Sequence, residues 1–590
     1  MARNKFNVDE TLETEFNAKH LVRSLHYIKK YKKLLIGAFC FSLTSSVCSL
    51  LLPLFTRNAI DVYIPNKAVK SLLIAGALIV MTVIIQAVCN RMRSRCSAIA
   101  GQSIVRDIRT DLFVHLQELP FDYFDSRPHG KILVRVINYV NSVSDFLTNG
   151  MINVLLEIVN MGLIIVFMLS MHVKLTLVVF AGLPVFAIYI FSIKRMQRRA
   201  WQQQANKQSN FTAYLAESIN GERVTQSFAR EAYNAEINRQ LATESRKAYL
   251  HAVTINHSIW PITFVLQRLV QFAIYFVGVY YLRDTLALGV LIAMTSYANR
   301  FWTPIQNLSN YYNQMINTVS YLERIFQLMD EPVSVTDPEG AETLPDIEGE
   351  VSFQDVVFEY EKDRPILKDV SFTAHAGESI ALVGPTGAGK STIINLISRF
   401  YNLKSGVVAI DGHDIANATL KSIRSQMGIM LQDTFIFSGT IIENIRYGRL
   451  DATDAECIAA AKRVHADEFI SKMSQGYYTQ VDERGDVLSA GQRQLLSFAR
   501  TLLSDPRILI LDEATSSIDT NTEILVQEGI KELLKNRTSF VVAHRLSTIK
   551  DCDRIMYISD GRIAESGNHN ALMQQHGLYY QLYTSQLSAD

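Results

Sequence analysis

The stretch SLLIAGALIVMTVIIQAVCN, residues 71–90, contains no charged side chain. A helix needs about 20 apolar residues to cross the hydrocarbon core of a bilayer, and buried helices of soluble proteins fit runs this long poorly. Similar runs lie at approximately 34–56, 148–171, 175–193, 256–282 and 286–316, the last of them more polar than the rest. Residues 34–325 are therefore predicted to form an all-α transmembrane domain with six spans. The preceding segment, 1–33, is charged and has no signal-peptide apolar stretch. Basic residues gather at particular span ends: Lys29, Lys30, Lys32 and Lys33 before the first, Arg91, Arg93 and Arg95 after the second, and Lys194, Arg195, Arg198 and Arg199 after the fourth. Such ends stay on the cytoplasmic side, which predicts a multi-pass plasma-membrane protein with both termini in the cytoplasm. The outer connections, around 57–70, 172–174 and 283–285, are short. The two cytoplasmic connections are each on the order of 60 residues, far more than a turn requires. Their helical composition predicts spans that continue well beyond the membrane.

Beyond about residue 320 the composition becomes that of a soluble α/β domain. The acidic, Pro- and Gly-rich stretch DEPVSVTDPEGAETLPDIEGE reads as a boundary, giving a linker at 326–349 and a second domain at 350–590. Over the 590 residues, 58 basic side chains balance 57 acidic ones, so the overall charge points to no nucleic-acid partner. The six cysteines are scattered without a C-x-x-C pair, which argues against a disulfide framework or zinc site and for a reducing compartment.

The chemistry is carried by ALVGPTGAGKSTIINLI. It contains G-x-x-x-x-G-K-[ST] after an apolar strand-like run and before a helical one, the context a P-loop requires. The candidate nucleotide-binding residues are Gly384, Pro385, Thr386, Gly387, Ala388, Gly389, Lys390, Ser391 and Thr392. The glycines let backbone N–H groups turn toward phosphates at the positive end of a helix. Lys390 is placed to neutralise phosphate charge and Ser391 to offer its hydroxyl to Mg²⁺. Downstream, ILILDE fits a parallel strand buried on both faces. Its end delivers Asp512, a candidate Mg²⁺ ligand, and Glu513, a candidate general base, to the crevice where ligands bind in open α/β sheets.

These residues carry a family resemblance over nearly the whole chain: the sequence resembles an ATP-binding-cassette (ABC) exporter half-transporter, six spans fused to one α/β P-loop ABC nucleotide-binding domain. The resemblance implies that Tyr360, in VVFEY, stacks on adenine. It implies that Gln432, in IMLQD, contacts Mg²⁺ and communicates with the membrane domain, and that DERG at 482–485 touches the spanning half. SSID, ending at Asp519, resembles the loop that crosses to a partner cassette, and His544, in VVAHRLSTI, the switch histidine on the γ-phosphate. PFDYFDSRPHGKI (120–132) and AYLAESINGERVTQSF (213–228) resemble the segments whose short helices press on the cassettes. Tyr139 stands where relatives commonly carry an aspartate.

Ionisable residues inside spans are costly and so are functional candidates. Glu157 in the third span and Arg268 in the fifth are a possible pair across a central cavity. The sixth span adds Asn, Gln, Tyr, Phe301 and Trp302, a lining suited to amphipathic cargo or to a helix emerging into the cytoplasm. The implied function is ATP-driven, Mg²⁺-dependent export of amphipathic small molecules, with lipid or peptide export, or a sensory ATPase that moves nothing, as alternatives.

One motif departs from the pattern. LSAGQ, residues 488–492, resembles the LSGGQ signature that meets ATP bound to the opposite cassette, with Ser489, Gly491 and Gln492 kept and Ala490 in place of glycine. The alanine is expected to add a Cβ where close backbone approach is wanted and to restrict φ. Because the signature completes the partner's site, the change favours a heterodimer with a second half-transporter over a homodimer.

Overall fold

The computed structural model describes residues 18–125, 127, 129–282, 286–361, 363–430, 434–482, 485, 487–512, 520–542 and 549–587. Contacts divide the chain into two compact units, Met1–Gln117 with His129–Glu331, and Glu118–Pro128 with Pro332–Asp590.

The first unit is helical. After a short helix, Ala18–Lys30, come long helices at Lys32–Tyr63, Val69–Glu118, Ile132–Met171, Val173–Asn220 and Glu231–Tyr281, each long and apolar enough to cross a membrane. Their apolar side chains are largely exposed: on the second, Leu73, Ile74, Val80, Met81 and Ile84 all face outward. That much contiguous apolar surface suits lipid, not water. At 1.5 Å per residue the 50 residues of Val69–Glu118 span about 75 Å, more than twice the hydrocarbon thickness of about 30 Å. The predicted continuation past the membrane is thus built into single helices.

The sixth long helix, Leu288–Met329, is not among the five most apolar ones, and its packing explains why. Met294, Tyr297, Ala298, Phe301 and Trp302 are buried in a core shared with Leu50, Met168, Leu175 and Ile274. A helix enclosed by its neighbours can carry polar groups that a lipid-facing helix cannot. Trp302 packs edge-on against Phe186 at 5.0 Å, so Phe301 and Trp302 belong to the core and do not line a cargo space. The fourth and fifth long helices lie along one another, joined by Gln197–Asn256 (2.6 Å) and Ser245–Gln208 (2.9 Å) hydrogen bonds.

The second unit holds, among the described residues, two large sheets and a two-stranded one pairing Gly439–Thr440 with Gln480–Val481. Of the large sheets, one is antiparallel, in the order Arg364–Ala374, Val351–Glu361, Ser405–Ile410, His413–Asp414. The other has six strands, ordered Arg562–Gly567, Arg554–Ser559, Ser379–Val383, Thr538–Val542, Ile508–Asp512, Met427–Met430. All are parallel except the edge strand Arg562–Gly567. The near-continuous burial of Ile508–Leu511 and Thr538–Val542 is what a parallel strand covered on both faces shows. Cross-strand register aligns Leu382 with Val542, and Val542 with Asp512, so these strands end on one edge.

Helix Phe121–Asp125 belongs with this second unit although the chain on both sides of it belongs to the first. Phe121 meets the Phe400 ring at 4.2 Å, Tyr401 Oη donates to Asp125 at 2.9 Å, and Arg424 lies over the other aromatic partner, Phe400, at 5.1 Å. Burial, then the Asp125 carboxylate, push the Tyr401 phenol up, so it stays a donor. Phe121→Ala is expected to remove about 1 kcal/mol of ring contact and to loosen this helix from the second unit. Faster hydrogen exchange across residues 121–125 in the variant checks this.

Candidate nucleotide site

The P-loop leaves the strand Ser379–Val383 at Gly384 and enters the helix Lys390–Ile397. Two glycines are obligatory here. Gly384 has φ +139°, and a Cβ on it would lie 2.1 Å from the Ile558 carbonyl oxygen. Gly389 has φ +109° and would bring a Cβ to 2.7 Å from Leu367. Gly387, also at positive φ, has open space where its Cβ would be, so its glycine serves backbone conformation and not packing. The loop thereby curls around the helix N-terminus, where backbone N–H groups and the helix dipole favour an anion.

Lys390 sits inside that curl. Its ammonium donates to the carbonyls of Gly384 (2.8 Å) and Pro385 (2.9 Å). Burial lowers its pKa, and the Asp512 carboxylate pulls the other way. Thr392, two residues on, is buried, while Ser391 is exposed. Asp512 closes the strand Ile508–Asp512 two strands away. A serine hydroxyl and one carboxylate are hard oxygen donors of the kind Mg²⁺ takes together with phosphate oxygens. The donor set fits that ion.

Tyr360 lies at the end of Val351–Glu361, half exposed, with its hydroxyl 3.3 Å from the Thr392 hydroxyl. Phe358 and Tyr401 pack edge-on against its ring at 4.8 and 5.1 Å. Its hydroxyl is thus held next to the P-loop helix, a contact that sequence spacing does not disclose. Gln432, Glu513, Asp519, His544 and part of DERG lie outside the described residues. The strands that precede three of them end at Met430, Asp512 and Val542.

Ser489 is the N-cap of the helix Ala490–Leu503. Its hydroxyl accepts from Gln492 N–H at 3.2 Å, and the Gln492 side chain accepts from Ser489 N–H at 2.9 Å. This reciprocal capping box assigns Ser489 and Gln492 a structural task beside any role toward nucleotide. Ala490 is the first helical residue and is exposed, and Gly491 behind it is buried. The expected φ restriction therefore carries no cost: alanine at a helical position is favourable, and glycine there is worse by up to about 1 kcal/mol. The added methyl affects only what approaches the helix from outside the chain.

In the membrane unit, Glu157 does not pair with Arg268. Glu157 accepts from Asn307 Nδ2 at 2.6 Å. Arg268 bonds Gln271 on its own helix at 2.5 Å and lies over Phe264 at 4.7 Å. Arg268 is thus engaged on its own helix, and Glu157 by the sixth long helix. Tyr139 stacks on Tyr321 at 4.7 Å, and Arg324 donates to its hydroxyl at 3.3 Å, so a phenol receives the arginine there.

The chain matches two family profiles, ABC transporter transmembrane region over residues 35–305 and ABC transporter over residues 367–516. It is 40% identical over 590 residues to the ABC transporter ATP-binding protein YknV of Bacillus subtilis (strain 168), covering 99% of this chain and 97% of the relative. It is 35% identical to the putative multidrug export ATP-binding/permease protein YgaD of the same strain, over 96% and 99% of the two chains. A fatty acid ABC transporter ATP-binding/permease protein of Mycobacterium tuberculosis (strain CDC 1551 / Oshkosh) is 36% identical over 83% of this chain and 78% of its own. The structure of a bacterial Atm1-family ABC exporter with ATP bound superposes with a TM-score of 0.78 at 28% identity, covering 94% of this chain and 98% of the other. With its helical membrane unit, its P-loop sheet and these relatives, the chain belongs to the ABC transporter family, as an ATP-hydrolysing exporter with membrane and nucleotide-binding parts on one polypeptide.

Proposed function

We propose that this exporter moves amphipathic small molecules out across the plasma membrane, with both termini cytoplasmic, as one half of a dimer. The observation that carries the reading is an apolar membrane unit with a polar interior, around Glu157, Asn307 and Arg300, on the same chain as a complete P-loop. Multidrug export and fatty acid transport, the activities in the names of two relatives, both concern amphiphiles.

In this reading Lys390 and the loop N–H groups hold the phosphates, Tyr360 stacks on the base, and Ser391, Asp512 and Gln432 hold Mg²⁺. That ion neutralises charge developing on the phosphates. Glu513 takes the proton of the attacking water, and His544 senses the γ-phosphate. Residues 34–325 act as the membrane domain and 350–590 as the cassette, joined by 326–349. Closure of two cassettes around nucleotide then biases the membrane domain between two access states.

The dimer reading gains support from the short helix Glu222–Ser227 and the residue that follows it, where Val224 and Phe228 are exposed. Apolar side chains at the tip of a long helical hairpin call for a partner surface. A different half-transporter is favoured as that partner, because Ala490 alters only the site that another chain would bring to it. Ala490→Gly is expected to change turnover by less than about threefold, the size of a sub-kcal/mol effect. Co-purification from the native host tests the pairing. A second ABC half-transporter should accompany this chain, and full ATPase and transport by this chain alone would remove the heterodimer.

A further inference from the structure

Two side chains of opposite charge line one polar cavity in the membrane unit without meeting. The cavity holds about 350 Å³ and is bounded by Ser45, Ser49, Asn90, Glu157, Asn160 and Arg300, among others. A second cavity, also about 350 Å³, opens on another flank of Arg300, along Thr56, Ser296 and Asn299. Arg300 stands twelve residues into its helix, which begins at Leu288. That is about 18 Å along the axis, well inside a hydrocarbon layer of about 30 Å.

The two charges are not equally satisfied. Glu157 accepts the Asn307 amide at 2.6 Å. Arg300 uses a single nitrogen, Nη1, donating to the Ser49 carbonyl at 2.9 Å and to the Ser49 hydroxyl. Among the described residues no carboxylate comes within ion-pair distance of Arg300. A guanidinium carries five donors in a planar fork, and at membrane depth it is costly unless matched. What matches the remaining face is a planar or tetrahedral oxyanion. Besides Glu157, whose carboxylate is engaged by Asn307, the lining offers hydroxyls and amides around Arg300, which solvate an anionic head, while the lipid-facing helices outside accommodate an alkyl chain.

We propose that this cavity binds the anionic head group, carboxylate or phosphate, of a single-chain amphiphile, with Arg300 as its counter-ion. The inference rests on the exporter reading above and names the substrate class of that exporter.

The test is photolabelling of the full-length complex in phosphatidylcholine nanodiscs with a diazirine-bearing twelve-carbon fatty acid. Labelling should map to the helices Lys32–Tyr63 and Leu288–Met329. Dodecanoate and dodecyl phosphate should compete at least about tenfold better than dodecanol or dodecylammonium, as a lost charge-assisted bidentate contact implies. Arg300→Gln should reduce labelling at least about tenfold, while Arg268→Gln, a change at an exposed arginine outside the cavity, should leave it unaltered. If the glutamine variant does not accumulate, Arg300→Lys decides: preference for dodecanoate over dodecanol should persist, and equal competition overturns the proposal. Labelling indifferent to Arg300→Gln also overturns it, as does best competition by dodecylammonium with loss of that competition in Glu157→Gln. Failure of the two readings is distinguishable. Arg300-dependent labelling without ATP-driven transport removes the exporter reading and keeps the site, and transport without that dependence does the reverse.

Discussion

Glu513→Gln is expected to reduce ATP turnover by the assembled transporter by about 10²- to 10⁴-fold, the usual contribution of a positioned general base. The amide keeps the size of the carboxylate and cannot take the water proton. Nucleotide binding should survive, because the groups proposed to hold the phosphates, Lys390 and the P-loop backbone, lie on another strand end. A turnover assay paired with nucleotide-binding measurements separates the two effects. If Glu513→Gln hydrolysed ATP at more than about a tenth of the native rate, the base would have to be another residue.

Lys390→Ala is expected to weaken nucleotide binding by about 10- to 100-fold, the value of one or two hydrogen bonds to a charged phosphate. The structure adds a second consequence. The Lys390 ammonium ties the Gly384 and Pro385 carbonyls together, so its loss also leaves the empty loop without its internal clamp. The alanine variant should therefore show faster hydrogen exchange across residues 384–389 even without nucleotide. Lys390→Arg should restore part of the clamp while fitting the curl poorly. Unchanged exchange in Lys390→Ala would limit the lysine to contact with phosphate.

Periodicity and local context made much of this legible. Long apolar runs placed the membrane helices, and a P-loop between an apolar strand and a helix pointed to the nucleotide site, because both signals are local in the chain. The sixth span was weak in composition for a physical reason: its apolar face is spent on the buried cluster of Tyr297, Phe301 and Trp302, and its polar face turns to Glu157 and the cavity. Long-range pairings were not legible. Asp125 and Tyr401 lie 276 residues apart, and Glu157 and Asn307 lie 150 apart. Spacing cannot choose such partners, which is why the sequence suggests Arg268 for Glu157 and draws no attention to Arg300. The signal available for Arg300 was its charge within a predicted span, the same criterion that singled out the other two. Ala490 shows the opposite error. A glycine missing from a motif suggested backbone restriction, yet the capping box of Ser489 and Gln492 makes the position an ordinary helical one.

The central claim is that ATP hydrolysis in the cassette drives amphiphile movement through the membrane unit. Inside-out vesicles carrying the native complex, loaded outside with an amphiphile and ATP, measure this most directly. ATP should drive accumulation inside the vesicles, and Glu513→Gln or Lys390→Ala should abolish it. Native ATP turnover with no accumulation of any member of a broad panel of drug-like, fatty acid and peptide amphiphiles would contradict the account.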